Sequence, residues 1–172
     1  DGNYILIAEK GRNKICLYID NKLQYDVDDP DTVMSAELSS NGDVVVVTDK
    51  SSYRGGISVY NKSGEQIFSW ASGSDAVICA DISAASRSVA VALLNSDVTA
   101  KTTVQLFNVN ETESYAKIEM PDTVVYELQF VGDKVNAFGD NRVTGISSSG
   151  KIVYDNDFSN VQLTHSAIDS NG

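Results

Sequence analysis

Leu38-Ser39-Ser40-Asn41-Gly42-Asp43-Val44-Val45-Val46-Val47-Thr48-Asp49 decides how the rest of the chain is read. It is a strand end, an Asn-Gly turn and a β-branched run. Asn-Gly between apolar runs is a strong short-range hairpin signal. A type I′ turn needs positive φ at both central residues, so Asn41-Gly42 is expected to form one. The pattern recurs down the chain. Aligned on the turn, Gly2, Gly42, Ser86, Gly132 and Gly172 match at spacings of 40, 44, 46 and 40 residues. The segment before the turn reads Ala36-Glu37-Leu38-Ser39, Ala80-Asp81-Ile82-Ser83, Tyr126-Glu127-Leu128-Gln129 and Ser166-Ala167-Ile168-Asp169. A third strand comes after each turn, as Ile15-Cys16-Leu17-Tyr18, Ile57-Ser58-Val59-Tyr60, Val104-Gln105-Leu106-Phe107 and Val143-Thr144-Gly145-Ile146. A second turn opens a fourth strand, clearest at Ser63-Gly64-Glu65-Gln66-Ile67-Phe68 and Ser149-Gly150-Lys151-Ile152-Val153-Tyr154.

Four short strands in each unit of roughly 40–45 residues is the period of a β-propeller blade. A β-sandwich also has evenly spaced strands, but it gives no reason for one turn to return with its flanking pattern intact. The Leu38-Ser39 and Ile82-Ser83 elements, each leading into a turn and a strand, resemble the strand-turn-strand signature of WD-repeat and other propeller blades. Val59 to Trp70, with Gly64-Glu65 and the closing Trp70, resembles a quinoprotein-like propeller repeat. The fold class implied is all-β, with about four blades of four antiparallel strands.

Strands are expected at 3–9, 14–20 and 22–27, then 33–39, 43–49, 56–61 and 66–71. They continue at 76–83, 88–95, 102–109 and 114–119, and at 124–130, 134–139, 142–147 and 151–156. Counted from the second strand, the repeats run 3–39, 43–83, 87–130 and 133–169, in one domain over 1–172. A lone first strand is expected at 161–169. Either it pairs with 3–9 and closes a four-bladed ring, or the chain is part of a seven- or eight-bladed propeller, whose repeats these resemble. Exposed blade faces at both ends would then favour a homodimer.

Thirteen Lys and Arg stand against 24 Asp and Glu, a net charge of −11. That field repels phosphate, so nucleic acid and anionic membranes are excluded as expected partners and a basic protein fits better. No apolar run reaches the ~20 residues of a membrane span. The chain starts at Asp1 and reads as a trimmed ectodomain, mature product or fragment, which makes an extracytoplasmic setting the expected one.

No catalytic constellation and no cofactor motif stands out. Cys16 and Cys79 read as buried core residues. His165, without an orienting carboxylate or a nucleophile on its face, reads as structural. The acids are more informative. Second strands end near Glu9, Asp49, Asp97 and Asp140, and blade-to-blade connections carry Asp26, Asp28, Asp29, Asp31, Asp75, Asp122, Asp155 and Asp157. Both classes of loop leave a meander blade at the same end, so the acids should gather on one rim. Asp28, Asp29, Asp49, Asp97, Asp140, Asp155 and Asp157, with Tyr53 and Arg54 on a Gly55-Gly56 loop, are the candidate partner contacts. The plain alternative is solvated loop tips. Asp26, Asp28 and Asp31 are candidate calcium ligands, although the loop lacks the glycine and bidentate glutamate of an EF-hand. Asn61-Lys62-Ser63 and Asn110-Glu111-Thr112 are glycosylation sequons on turns.

Two functions are therefore expected. The first is a noncatalytic binding or scaffolding module presenting an acidic loop face to a protein partner. The second, implied by the resemblance, is part of a quinoprotein-like or other propeller enzyme.

Overall fold

The computed structural model describes residues 4–97, 99–158, 160, 161 and 163. Blade 1 contains β1 (Tyr4–Ala8), β2 (Lys14–Ile19) and β3 (Lys22–Asp28). Blade 2 contains β4 (Thr32–Leu38), β5 (Val44–Asp49), β6 (Gly56–Tyr60) and β7 (Gln66–Ala71). Blade 3 contains β8 (Ala76–Ile82), β9 (Ser88–Asn95), β10 (Lys101–Asn108) and β11 (Ser114–Pro121). Blade 4 contains β12 (Val125–Val131), β13 (Lys134–Gly139), β14 (Arg142–Ile146) and β15 (Ile152–Asp157). Every sheet is an antiparallel meander, and the described residues include no helix. The expected strands are found to within one or two residues. Most of the expected strand at 161–169 lies outside the described residues.

Alternation sends successive side chains to opposite faces, and the faces that consecutive blades turn toward one another are buried. Ile15, Leu17 and Tyr25 of blade 1 pack on Val33, Val44, Val46 and Tyr60 of blade 2. The opposite face of blade 2, with Val45, Val47, Ile57, Val59 and Phe68, packs on Ile82, Val89, Val91 and Phe107 of blade 3. Blade 3 in turn covers Val125, Leu128, Val135 and Ile146 of blade 4 with Ala90, Ala92, Val104, Leu106 and Met120. Fully burying each larger apolar side chain contributes about 1.5–3 kcal/mol, so these three layers hold the arc together.

Two bulges recur in the blades. In each innermost strand one residue is left without a cross-strand partner: Met34, Ile78 and Tyr126. In each outermost strand Gln24, Ile67, Tyr115 and Val153 play the same part. A bulge adds one residue to one strand and reverses the facing of the residues beyond it. Val33 and Leu38 can therefore both point back at blade 1 despite their odd spacing.

The opening turn differs from expectation. Gly42 has φ of +90°, but Asn41 is not among the residues with positive φ, so the turn is not type I′. Instead Gly42 N–H donates to the Ser39 carbonyl and Asp43 N–H donates to Asn41 Oδ1 at 3.0 Å. This is a type I turn closed by a left-handed glycine. The same device recurs at Gly64 and Gly150. In blade 3 the turn is one residue longer, and Arg87, at φ of +53°, takes the role expected of Ser86. Positive φ at two successive residues occurs at Asp20-Asn21, between β2 and β3.

Candidate functional site

Near the start of each described innermost strand the backbone meets the second-to-third loop of the preceding blade, and Leu163 makes the same kind of bond after blade 4. Val33 N–H donates to the Arg12 carbonyl at 2.6 Å, Val77 N–H to Arg54 at 3.2 Å, and Leu163 N–H to Asp140 at 2.8 Å. Thr123 makes the equivalent bridge to Lys101. These loops and the blade-to-blade connections thus share one end of the arc, as the meander requires.

The rim acids at that end are mostly occupied with neighbours. Lys14 Nζ bonds both Asp26 and Asp28, and the two carboxylates, Asp26 first, raise the lysine's pKa. Lys50 pairs with Asp31 at 3.0 Å. Asp155 accepts from Thr144 Oγ1 at 2.8 Å and from Arg142 at 3.3 Å. Asp140 caps Val124 N–H at 2.9 Å, and Asp75 accepts from Asn95 at 2.8 Å. Asp26 and Asp155 lie within the strands expected at 22–27 and 151–156, and β3 and β15 run on to include Asp28 and Asp157, which were expected in the connections. Among the described residues no group of three or more His, Cys, Asp or Glu is placed to hold a metal ion.

Asp29 departs most from the expected partner surface. It is 1% exposed, accepts from Tyr60 Oη at 2.8 Å, and accepts the Asp31 N–H at 2.8 Å. A carboxylate with two donors inside a core is a structural device, so it cannot meet a partner. Burial first, and the bond to Asp29 second, raise the Tyr60 pKa. Asp28, Asp49, Tyr53, Arg54, Asp97, Asp155 and Asp157 are exposed, and Asp140 is half-buried.

The opposite end of the arc holds a site that the acid inventory missed. Glu37 on β4, Asp81 on β8 and Glu127 on β12 occupy one repeat position, three residues after the bulged residue of each innermost strand in blades 2 and 3 and one after it in blade 4. All three line a cleft of about 450 Å³ with Ser40, Phe130 and Gly132. Burial raises the pKa of Glu37, and the charges of Asp81 and Glu127 add to the shift. Burial also raises that of Asp81. Its bonds from Phe130 N–H, at 2.6 Å, and from Ile82 N–H, at 2.8 Å, pull the other way without winning. The Asp81 bond to Phe130 joins blade 3 to blade 4 at the cleft wall. Ser83 Oγ adds a second tie, donating to the Gly132 carbonyl at 2.7 Å.

Cys79 stands beside this cleft. Burial, with the charges of Glu127, Glu37 and Asp81, pushes its thiol up to about 12. A thiol so held is not a nucleophile at neutral pH. Cys16 is also a free thiol and is partly buried on blade 1. Trp70 lies between blades 2 and 3, its ring 5.0 Å from Phe107, away from the axial cleft. His165 lies outside the described residues. Asn61, the first sequon asparagine, turns its amide into its own loop, with Nδ2 donating to Glu65 at 2.7 Å.

Four antiparallel meander sheets packed face to face, stepping by one repeated contact, define a β-propeller arc. Residues 1–168 match the model of a family of unknown function, DUF5711, and the chain belongs to that family. Among curated proteins none matches. The fold is similar to that of the computationally designed Ika8 protein, at 15% identity and a TM-score of 0.65, over 94% of this chain and 48% of that one. It is also similar to BamB from Moraxella catarrhalis, at 12% identity and a TM-score of 0.59, over 98% of this chain and 48% of that one. A third similar structure is BBS1N in complex with ARL6DN, at 14% identity and a TM-score of 0.56, over 90% of this chain and 49% of that one. The chain spans about half the length of these structures. At such identities the likeness concerns the fold.

Proposed function

We propose that the chain is a noncatalytic binding module, working outside the cytoplasm, that receives a basic protein partner at the axial cleft. The observation that carries this reading is the convergence of Glu37, Asp81 and Glu127 from three different blades on one opening. Like charges held together and partly desolvated are costly, as the raised pKa values of Glu37 and Asp81 record. A lysine or arginine side chain entering the cleft relieves that cost. Propeller ends serve as docking surfaces in other proteins, and the BBS1N structure is one solved with its partner.

Calorimetric titration with a short Lys/Arg-rich peptide at low salt tests the reading. Glu37→Gln with Glu127→Gln is expected to weaken binding about tenfold, or ~1.4 kcal/mol. Asp28→Asn with Asp49→Asn is expected to leave it nearly unchanged. The reverse ranking, or no binding to the unaltered chain, overturns the assignment to the axial cleft.

A further inference from the structure

The outer half of the junction between blades 2 and 3 holds a second cavity, of about 530 Å³, away from the axial cleft. That volume falls within the roughly 300–1,000 Å³ of small-ligand sites. One wall is Trp70 on β7, the chain's single tryptophan, which is half-buried. Its ring stands 5.0 Å from that of Phe107 at 49°, and Phe107 stands 5.7 Å from Phe68. Tilted contacts at such distances are favourable, so the indole is held in place before anything meets it.

A second wall is polar. Gln105 on β10 and Lys117 on β11 are directly opposed in the register, and both line the cavity. In blade 4 the corresponding pair, Thr144 and Asp155, bond each other at 2.8 Å; here the pair borders open space instead. At the rim end stand Ser72 and Ser74. Their connection is pinned to the neighbouring loop, with Arg54 N–H donating to the Ser72 carbonyl at 2.8 Å and Ser72 N–H to Gly55 at 3.0 Å. The repeat shows that blade packing alone does not call for an indole here. Trp70 opposes Ile57, and the residues in the same relation to the third strand elsewhere are Val27, Ile118 and Asn156. Val27 and Ile118 meet the neighbouring blade as aliphatic side chains.

Glu113 and Lys117 bring one charge of each sign to the lining, so the cavity is neutral in a chain of net charge −11. A neutral ligand matches it. The negative face of an indole attracts polarised C–H groups, while amide, hydroxyl and ammonium groups answer hydroxyls. A pyranose ring with equatorial hydroxyls offers both, a face of C–H groups and an edge of hydroxyls. In a β-1,4-linked chain the linkages are equatorial too, so those faces continue from ring to ring. We infer that this cavity binds a neutral saccharide, a short run of β-1,4-linked glucose-configured rings. One ring stacks on Trp70 and its hydroxyls bond Gln105 and Lys117. The site is separate from the axial cleft and stands or falls without it.

All indole emission from the chain comes from Trp70, which makes the test direct. Titration with cellotetraose or chitotetraose is expected to shift that emission to saturation, with a midpoint at or below about 1 mM. Gln105→Ala and Lys117→Ala keep the fluorophore and should each raise the midpoint about fivefold or more. Lys22→Ala, at an exposed position on blade 1, should leave it unchanged. Trp70→Leu is read by calorimetry and should abolish the heat of binding. Circular dichroism on each variant checks that the sheets persist, and the Gln105 and Lys117 variants decide the matter even where Trp70→Leu fails to fold. A response to a tetrasaccharide alone identifies a free chain as the source, and added retention on insoluble cellulose or chitin identifies the polymer; both support the site. Retention on the polymer without a tetrasaccharide response overturns it, as do no saturable shift or unchanged midpoints in both alanine variants. A tighter response to adenosine, which is flat but has no C–H face, overturns it as well.

Discussion

The two ends of the arc carry acids that behave in opposite ways. At the loop rim, Asp26, Asp28, Asp31 and Asp155 are matched by Lys14, Lys50 and Arg142, and Asp29 is buried under Tyr60. At the axial end, Glu37, Asp81 and Glu127 face one another across a cleft, and burial and repulsion hold the first two partly against ionisation. Acid content by itself therefore says little about where a cation would go. What matters is how far burial and neighbouring like charges oppose ionisation at each place.

The largest effect expected from this contrast is at Asp29. Asp29→Ala removes the acceptor of a buried tyrosine hydroxyl and should cost about 3 kcal/mol in urea unfolding. A loss well under 1 kcal/mol would place Asp29 with the dispensable rim charges and erase the contrast. Asp81 tests the boundary between the two classes, because it is both axial and bonded to backbone. Asp81→Ala should cost about 1–2 kcal/mol by stranding Phe130 N–H, while Asp81→Asn, which keeps an acceptor oxygen, should cost clearly less.

Smaller and of opposite sign is the change expected at Glu37. Its folded pKa lies above the unfolded one, so the native state holds the extra proton as pH rises from about 4. Stability from this group is complete below the unfolded pKa and is lost as pH rises through the folded value. Glu37→Gln should therefore raise Tm by about 1–2 °C at pH 7, and that gain should vanish near pH 4. A lowered Tm at neutral pH would mean that Glu37 has a structural donor, like its rim counterparts. Least of all is expected from Asp26→Asn, which loosens one exposed ion pair with Lys14 and should stay within about 0.5 kcal/mol.

Most of the blade pattern was legible because apolar alternation and turn chemistry are local. Val44 to Val47 and Ile57 to Tyr60 could hardly be anything but central strands, and all are buried. The turn type was not legible. The side chain of Asn41, accepting from Asp43 N–H, competes with the backbone geometry that Asn-Gly usually adopts. Nor could the last residue of β3 and β15, Asp28 and Asp157, be read as strand, since a charged residue ending an outermost strand has the same local sequence as one just beyond it. The axial acids were visible but unrecognised. Glu37, Asp81 and Glu127 stood in the repeated segment before each turn, each beside an apolar residue, and an acid alternating with apolar residues reads as a solvent face. Only the meeting of three blades turns that face inward, and an axis made of separate strands leaves no contiguous trace.

Met34, Ile78 and Tyr126, each without a cross-strand mate, work as phase shifters in a two-beat rhythm. Because each inner strand drops one beat near its start, its leading valine and its later leucine or isoleucine grip the same neighbour while the acid between them is swung to the opposite side. Gaining or losing a single residue there would exchange hydrocarbon for carboxylate along the whole remainder of the strand. The insertion count of these short segments is thus held as tightly as their chemistry.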